Sequence, residues 1–445
     1  MAESHTKSGF WGILGFTKGT SNDGLLPSEA PGLGRLFLLA LQQFIVMFPA
    51  TVLVAILTGF HVSTTIFASG LATLSFLLVT RGQIPLYYGS SFSYIAAIVA
   101  ITGGGHAGGY APDHLIGQAQ FGIMMSGLVS IFIGLLVNKL GFKRIEKFLP
   151  PTVTGPIAMI IGVSLMGTAL SQASEGWIVS LVTLLATIVF SVTLKGVLGQ
   201  LPILFGILVG YIVALITGQV DFSAVNQTAF FVSPHFTLPI PTWSAILAIM
   251  PIAVATIPES TAHLFQIDIY VNNLTKKRGV PEIRLSDKLG TNLVGDGIGD
   301  IVSAAFGGPA GTNYGENIST MAITRIFSVP VLIAAGVLAI IISFFGKFSA
   351  LVNTIPTAVI GGLSVYLFGV IAVQGIGIIV EKKVDLFDNR SLAVISSILV
   401  IGIGGSFAFP NGMIPFFGME LPAIATAAIW GILLNAVLLL TKKDA

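Results

Sequence analysis

Long apolar stretches alternate with short polar, glycine-rich or proline-rich breaks along nearly the whole chain. A helix needs about 20 mostly apolar residues to cross the hydrocarbon core of a bilayer. When the apolar stretches are divided at charged residues and at Pro, Gly and Asn clusters, the pattern predicts fourteen membrane-spanning segments. The predicted spans begin near Leu36, Val62, Ile84, Leu115, Phe148, Trp177, Leu201, Trp243, Gly290, Tyr314, Ser328, Ile355, Leu392 and Leu421.

The composition agrees with a membrane protein. Of the 445 residues, 54% are hydrophobic and only 9% are charged, whereas soluble domains carry about 25% charged residues. The net charge of +2 and the scarcity of polar surface argue against nucleic-acid binding, disorder and ordinary cytosolic enzymes. The chain has no cysteine, which excludes disulfides, thiolate metal sites and thiol nucleophiles. The predicted fold class is therefore an all-α polytopic membrane protein.

Lysine and arginine cluster on alternate connections between the predicted spans. If the N-terminus is cytoplasmic, 20 of the 21 basic residues fall on the cytoplasmic side, and only Lys347 falls outside. The positive-inside rule requires such a bias, and a miscounted span would scramble it. The charge pattern predicts fourteen spans in the cell (plasma or inner) membrane, with both termini cytoplasmic. Residues 1–32 are predicted to form a flexible cytoplasmic tail, with an interfacial anchor helix as the alternative.

The two halves of the chain echo each other. Matching motifs lie in spans 1 and 8, 3 and 10, and 5 and 12: residues 48–51 (FPAT) with 257–260 (IPES), 88–93 (YGSSFS) with 314–319 (YGENIS), and 151–155 (PTVTG) with 356–361 (PTAVIG). These pairs predict a duplication of seven plus seven spans. Because seven is odd, the second half enters the membrane from the opposite side, so the repeat is inverted.

Spans 3 and 10 are both short and interrupted by glycine. Gly89 and Gly315 lie just before the predicted half-helices, and residues 86–88 and 312–314 are predicted to be short extended runs. In inverted repeats, paired broken helices place free backbone N–H groups around a binding site near the bilayer midplane. The pattern therefore predicts a site where these two segments meet.

Three ionisable side chains lie deep within predicted spans. Glu259 and His263 are four residues apart on one face of span 8, and Glu316 begins the half-helix of span 10. A charge at the bilayer centre costs about 2.5–3.5 kcal/mol, so such residues are candidates for substrate binding and proton exchange. By contrast, Asp296 and Asp300 are predicted to lie at the cytoplasmic boundary of span 9. The other histidines are assigned to tails or loops: His5, His61, His106, His114 and His235.

The segment from Tyr314 to Asn317, continued through Thr324 and Arg325, resembles the signature of the nucleobase/ascorbate transporter family. In that family the pyrimidine branch has Glu at the first signature position, which Glu316 occupies here. The run 89–92, the pair Glu259 and His263, and Ala50 are also similar to family stretches. The resemblance covers the chain from about Leu36 to the C-terminus.

The resemblance implies a division into core and gate domains. The expected parts are the tail (1–32), the core (33–146 with spans 1–4, and 242–347 with spans 8–11), the gate (147–220 with spans 5–7, and 348–445 with spans 12–14) and an extracytoplasmic loop (221–241). It also implies proton-coupled import of a nucleobase, with uracil as the expected substrate, by an elevator-like movement of the core. A homodimer formed through the gates is expected, as are a lipid bilayer as partner and no nucleic acid.

The resemblance also assigns roles within the site. Glu259 and Glu316 are expected to bind the base, while His263 holds Glu259 and shares in proton coupling. The backbone N–H groups of Phe92 and Gly315 are expected to meet its carbonyl oxygens. The expected substrate-binding set is completed by Tyr314, Ala50 and Ser91. No metal and no cofactor are expected, and the coupling ion is H⁺.

Several departures from the family pattern leave alternatives open. Gln43 stands where the family often has His, Ser319 replaces a signature glycine, and Pro49 replaces a frequent Gly. Import of a purine such as xanthine or urate is therefore the main alternative. An anion transporter or channel of the same fold, a metal-ion transporter and a membrane-embedded enzyme are weaker ones. Two acidic residues would repel an anion, and no second His or Cys joins them to make a metal or enzyme site.

Overall fold

The first half of the chain forms a series of apolar helices in the computed structural model, which describes residues 15–19, 23–105, 109–141, 150–416 and 419–440. The helices of this half are α1 (Leu33–Thr58), α2 (Val62–Val79), α3 (Ile95–Thr102), α4 (Asp113–Leu140), α5 (Pro151–Ser164), α6 (Met166–Ser174), α7 (Trp177–Thr193), α8 (Pro202–Ile216) and α9 (Ser223–Gln227). A 3₁₀ turn at Phe92–Tyr94 leads into α3, and another lies at Leu198–Gln200.

The second half continues in the same way. Its helices are α10 (Trp243–Ile249), α11 (Ala253–Arg278), α12 (Leu289–Ala305), α13 (Gly315–Thr324), α14 (Val329–Ser343), α15 (Gly346–Asn353), α16 (Thr357–Glu381), α17 (Asn389–Leu399), α18 (Gly405–Ala408) and α19 (Ala423–Leu440). A 3₁₀ turn at Met250–Ile252 joins α10 to α11, and a π-helical turn at Val400–Gly404 joins α17 to α18.

Eight helices in the described part of the chain are long and apolar enough to cross a membrane. They are Leu33–Thr58, Val62–Val79, Asp113–Leu140, Pro151–Ser174, Trp243–Arg278, Thr357–Glu381, Asn389–Ala408 and Ala423–Leu440. Shorter apolar helices lie at Phe92–Thr102, Trp177–Thr193, Pro202–Ile216 and Val329–Ser343. Large apolar side chains such as Val192 and Ile216 are more than 70% exposed, as expected where helices face lipid. The chain is a helical, multi-pass membrane protein.

Short strands interrupt this helical fold at three places. β1 (Thr17–Lys18) pairs in parallel with β2 (Glu29–Ala30), and β5 (Met413–Phe416) pairs antiparallel with β6 (Met419–Pro422). The strands β3 (Tyr88–Ser90) and β4 (Gly311–Asn313) are buried and antiparallel, with Tyr88 opposite Asn313 and Ser90 opposite Gly311. The extended runs that the sequence predicts before the half-helices are therefore present, although they begin one to two residues away from the predicted positions.

The helices pack in two groups. In the first group α12 lies against α4 and α2, and α14 packs against α2. In the second group α16 packs against α5, α6 and α7. Glycines bring backbones into contact in both groups. A Cβ added at Gly297 would lie 2.2 Å from the carbonyl oxygen of Gly127, and one added at Gly375 would lie 2.7 Å from that of Gly155. Small residues permit such close helix packing inside membranes.

Part of the predicted flexible tail is packed against the helices. Leu25 is fully buried, and Glu29 is only 4% exposed. The guanidinium of Arg278 donates two hydrogen bonds to Glu29, at 2.7 and 2.8 Å. This two-point ion pair fixes the tail to the end of α11, so the prediction of a free tail is wrong for residues 23–32. Residues 1–14 lie outside the described residues, as do the predicted span start Phe148 and most of the basic run 139–147.

Candidate functional site

The two broken segments cross at the centre of the candidate site. The ladder of β3 and β4 is extended by hydrogen bonds from the Ser91 N–H to the Ala310 carbonyl (2.9 Å) and from the Tyr314 N–H to the Tyr87 carbonyl (3.0 Å). Because the strands are antiparallel, the half-helices that follow them run in opposite directions. Both helix N-termini consequently lie at the crossing, where their free N–H groups can bind carbonyl or anionic oxygens.

Two carboxyl side chains lie at this crossing. Glu259 of α11 accepts a hydrogen bond from the Ser93 hydroxyl at 3.2 Å, and Ser93 lies in the 3₁₀ turn that begins the first half-helix. Glu316 occupies the first turn of α13, at the start of the second half-helix. Both glutamates remain partly exposed although most of their neighbours are buried. The site therefore offers four carboxyl oxygens to a polar ligand.

His263 lies beside the second half-helix. A Cβ added at Gly315 would lie 3.2 Å from its Nε2, and the imidazole also contacts the backbone of Asn313. Its Nδ1 is buried and has no hydrogen-bond partner among the described residues. An orphaned buried nitrogen is uncommon in folded proteins.

The remaining predicted site residues divide into two groups. The backbones at Phe92 and Gly315 lie at the starts of the half-helices, and both residues are partly exposed. Ala50, Ser91 and Tyr314 are at most 3% exposed. The Ser91 hydroxyl caps the 3₁₀ turn by accepting from the Ser93 N–H, and the Tyr314 hydroxyl bonds to Thr51 at 2.9 Å. In this conformation these buried side chains support the crossing and present almost no surface to a ligand.

Asp300 does not lie at the start of its helix, where a boundary residue would cap it. It is 2% exposed and lies in the interior of α12. Its Oδ1 accepts from the Tyr88 hydroxyl at 2.8 Å and from the Gly311 N–H at 2.7 Å. One carboxylate therefore holds both β3 and β4.

Asp296 lies one turn earlier in α12 and is 7% exposed, so it does not cap the start of the helix either. It accepts hydrogen bonds from the Ser260 hydroxyl and, at 3.0 Å, from the Asn313 side-chain amide. Asn292 donates to Ser260 at 2.7 Å. Because Ser260 follows Glu259 directly, this network fixes α11 relative to β4. The sequence signal was the spacing of Asp296 and Asp300 by four residues, which places both on one helix face.

A further contact joins α1 to the second half-helix. The Asn317 amide donates to the Gln43 carbonyl at 3.0 Å and to the Gln43 Oε1 at 2.8 Å. Gln43 is 2% exposed, and Asn317 is fully buried. The departure from the family pattern at Gln43 therefore lies directly against a signature residue. Its side chain positions α13 behind Glu316.

Comparison with known sequences places the chain in a family. Residues 34–411 match the family model Xan_ur_permease, described as a permease family. The chain belongs to this family. It is the nucleobase/ascorbate transporter family that the signature residues resemble. The permease is accordingly a membrane transport protein and not an enzyme.

Several curated relatives match nearly the whole permease. The uracil permease of Bacillus caldolyticus is 40% identical over 427 residues, covering 92% of this chain and 93% of the relative. The uracil permease of Bacillus subtilis (strain 168) is 36% identical, with coverages of 91% and 93%. That of Escherichia coli (strain K12) is 34% identical, with 92% of each chain covered.

Solved structures of low sequence identity share the fold. The transmembrane domain of the cyanobacterial bicarbonate transporter BicA matches with a TM-score of 0.52 and 17% identity, covering 90% of the permease and 96% of that chain. The murine anion transporter Slc26a9 in the inward-facing state matches with a TM-score of 0.63 and 9% identity, covering 96% and 70%. At these identities the likeness concerns the fold alone.

Proposed function

We propose that this permease is a proton-coupled symporter that imports a nucleobase, with uracil as its principal substrate. The observation that carries the proposal is the pair Glu259 and Glu316 at the crossing of two half-helices. The names of the curated relatives support uracil as the substrate.

The chemistry of the crossing suits a planar base. Uracil has two ring N–H donors and two carbonyl acceptors. Glu259 and Glu316 can accept from the ring N–H groups, while the free N–H groups at Phe92 and Gly315 can donate to the carbonyls. A buried polar group left without a partner costs about 1–3 kcal/mol. The site would therefore discriminate against analogues that lack one of these groups.

The same glutamates provide a route for proton coupling. Two carboxylates near each other in a poorly solvated site repel strongly, and one added proton removes this repulsion. Substrate binding and protonation can therefore favour each other at this site. A proton that moves down about 100 mV releases about 2.3 kcal/mol, and one pH unit adds about 1.4 kcal/mol. His263 is the proposed third member of this proton-exchanging group.

For the architecture, we propose fourteen spans as an inverted seven-plus-seven repeat in the cytoplasmic membrane, with both termini inside. The core comprises residues 33–146 and 242–347, and the gate comprises 147–220 and 348–445. The two packing groups of helices support this division. Leu53 of α1, Ile95 of α3 and Leu363 of α16 belong to one buried apolar cluster, a type of surface along which an elevator-like core could slide. The gates are the proposed dimer interface.

Uptake into proteoliposomes tests both substrate and coupling. Radiolabelled uracil is supplied outside vesicles with an acidic exterior, and unlabelled uracil, xanthine or urate is added as competitor. We expect uptake that a protonophore abolishes and that uracil inhibits more strongly than the purines. Stronger inhibition by xanthine or urate would show that the permease prefers purines. Uptake that is unchanged by the protonophore would refute proton symport.

Matched variants locate the activity at the crossing. Glu259→Gln should lose uptake because the amide presents a donor where the substrate also has one. Asp388→Asn is the control, since Asp388 is exposed and caps the start of α17, a role that Asn fills equally well. If Glu259→Gln transports as well as the control, the proposed site is wrong.

A further inference from the structure

Two histidines and an aspartate that are distant in sequence lie close together in the structure. His61 immediately precedes α2, Asp113 is the first residue of α4, and His235 lies in the extended segment between α9 and α10. This cluster is separate from Glu259 and Glu316, and the proposed transport mechanism does not use it.

The distances are those of a potential metal site. His235 Nε2 lies 2.9 Å from Asp113 Oδ2, and His61 Nε2 lies 3.8 Å from Asp113 Oδ1. One ligand atom from each residue lies within 4.8 Å of the others. Nitrogen and oxygen ligands about 2.0–2.1 Å from a tetrahedral zinc ion are about 3.3 Å apart. The observed separations bracket this value, so small side-chain rotations would bring all three onto one ion.

We propose that His61, Asp113 and His235 form a binding site for a divalent transition-metal ion of the zinc class. Imidazole nitrogen and carboxylate oxygen are ligands that zinc accepts, and three protein ligands leave one position for water. Mg²⁺ prefers oxygen ligands in near-ideal octahedral geometry, so it should bind poorly here. The Asp113 and His235 side chains are 60% and 52% exposed, which gives an ion access from solution.

An ordinary ion pair between His235 and Asp113 leaves one observation unexplained. The Nε2 of His61 is buried and has no hydrogen-bond partner among the described residues. Its ring lies only 4.4 Å from that of His235, centroid to centroid, although two protonated imidazoles would repel. A metal ion shared by the two histidines would be a partner for the Nε2 of His61 and for the Nε2 of His235.

The ring of His61 is also held in place. Tyr110 packs against it with a centroid distance of 3.9 Å. Neighbouring groups that orient a ligand raise metal affinity, because less freedom is lost on binding.

A metal at this position would fasten the segment before α10 onto the helices of the first packing group. Two hydrogen bonds already join this segment to the helices. The Thr64 hydroxyl of α2 donates to the His235 carbonyl (2.7 Å), and the Ile240 N–H donates to the Gly117 carbonyl of α4 (2.8 Å). The ion would add a further attachment of this segment to the start of α4 and to the residue before α2. We therefore expect binding to stabilise the folded protein.

Direct metal binding to the tag-free, full-length protein tests the proposal. The protein is stripped with chelator, equilibrated with ZnCl₂ or MgCl₂ at pH 7.5, and analysed for bound metal. Thermal unfolding is followed by the fluorescence of its 4 tryptophans, since the chain has no cysteine for thiol dyes. We expect one saturable zinc ion per chain and a higher melting temperature, with no such effect of magnesium.

Variants of single histidines identify the ligands. His61→Gln and His235→Gln should each weaken zinc binding by about tenfold or more and remove the thermal shift. His114→Gln is the matched control because His114 is exposed and adjacent to Asp113 but outside the cluster. Bound Co²⁺ should show visible d–d absorption in the control and not in the two ligand variants. The absence of saturable 1:1 binding, or equal binding in all three variants, would overturn the proposal.

Discussion

The two half-helix segments have similar backbones but different chemistry. The first, β3 with its 3₁₀ turn and α3, contributes only the neutral hydroxyl of Ser93 to the glutamates. The second, β4 with α13, places Glu316 in its first turn and Asn317 directly behind it. Each of the two segments therefore ends in a helix N-terminus, whereas only the second carries a carboxyl group of its own. Two segments with similar backbones can therefore carry different chemical groups at the crossing.

The two segments also differ in the hydrogen bonds that hold them to the surrounding helices. The first is held through its own main chain, since the Tyr88 carbonyl accepts from the hydroxyls of Ser69 and Thr73 in α2. The second is held through its own side chains, since the amides of Asn313 and Asn317 donate to Asp296 and Gln43. Asp300 is a shared anchor of both. Substitutions can therefore disturb both segments, one of them, or only the ligand contacts.

The largest effect is expected for Asp300→Ala, which removes the shared anchor. The Gly311 N–H loses its acceptor, and the Tyr88 hydroxyl keeps only the Asp296 carbonyl. Each buried group left unsatisfied costs about 1–3 kcal/mol. We expect a large fall in melting temperature and loss of uracil uptake, measured by tryptophan fluorescence and proteoliposome assay.

Asp300→Asn serves as the control for this loss. It keeps one side-chain oxygen as an acceptor, so its melting temperature should fall less than that of Asp300→Ala. Equal stability of Asp300→Ala and the wild type would show that the crossing does not depend on this carboxylate.

A smaller effect is expected from glycine substitutions that separate the two segments. A Cβ at Gly89 would lie 2.6 Å from ring carbons of Tyr314, whereas one at Gly315 would lie 3.2 Å from the His263 Nε2. Overpacking of this kind costs about 1–3 kcal/mol. Gly89→Ala should therefore lower the melting temperature, while Gly315→Ala should keep it and instead raise the KM for uptake. A lower melting temperature for Gly315→Ala and a higher KM for Gly89→Ala would contradict this assignment.

The smallest effect is expected for Ser93→Ala, which removes the hydrogen bond from the first half-helix to Glu259. The lost hydrogen bond is worth about 0.5–1.5 kcal/mol, or roughly a two- to tenfold change in uptake efficiency. Folding should be unaffected because Ser93 is partly exposed. Ser91→Ala is the comparison, since it removes a buried cap and should act on stability rather than on substrate affinity.

Local sequence patterns predicted the crossing well because its signals are local. Tyr-Gly motifs at 88–89 and 314–315, each followed by an apolar helix, identify a strand that turns into a half-helix. Hydropathy gave the positions of the long helices for the same reason. The four-residue spacing of Glu259 and His263 placed both on one face of α11.

Contacts between distant segments were not predictable in this way. Asp296 and Asp300 lie in a glycine-rich run of low hydropathy, which resembles a boundary when the surrounding helices are unknown. Their partners Tyr88 and Asn313 come from other parts of the chain. The cluster of His61, Asp113 and His235 was missed for the same reason, since three separate segments contribute one residue each. Its two histidines were interpreted singly as tail or loop residues.

The most direct test of the central claim is the steady-state accumulation of uracil in proteoliposomes as the imposed pH gradient is varied. In the wild type, one proton per substrate predicts that the inside-to-outside ratio rises about tenfold per pH unit. Glu316→Gln should remove this dependence or shift recognition toward purines, while Asp388→Asn should retain it. A wild-type ratio that does not change with the gradient, or a Glu316→Gln variant that accumulates uracil like the wild type, would contradict the account.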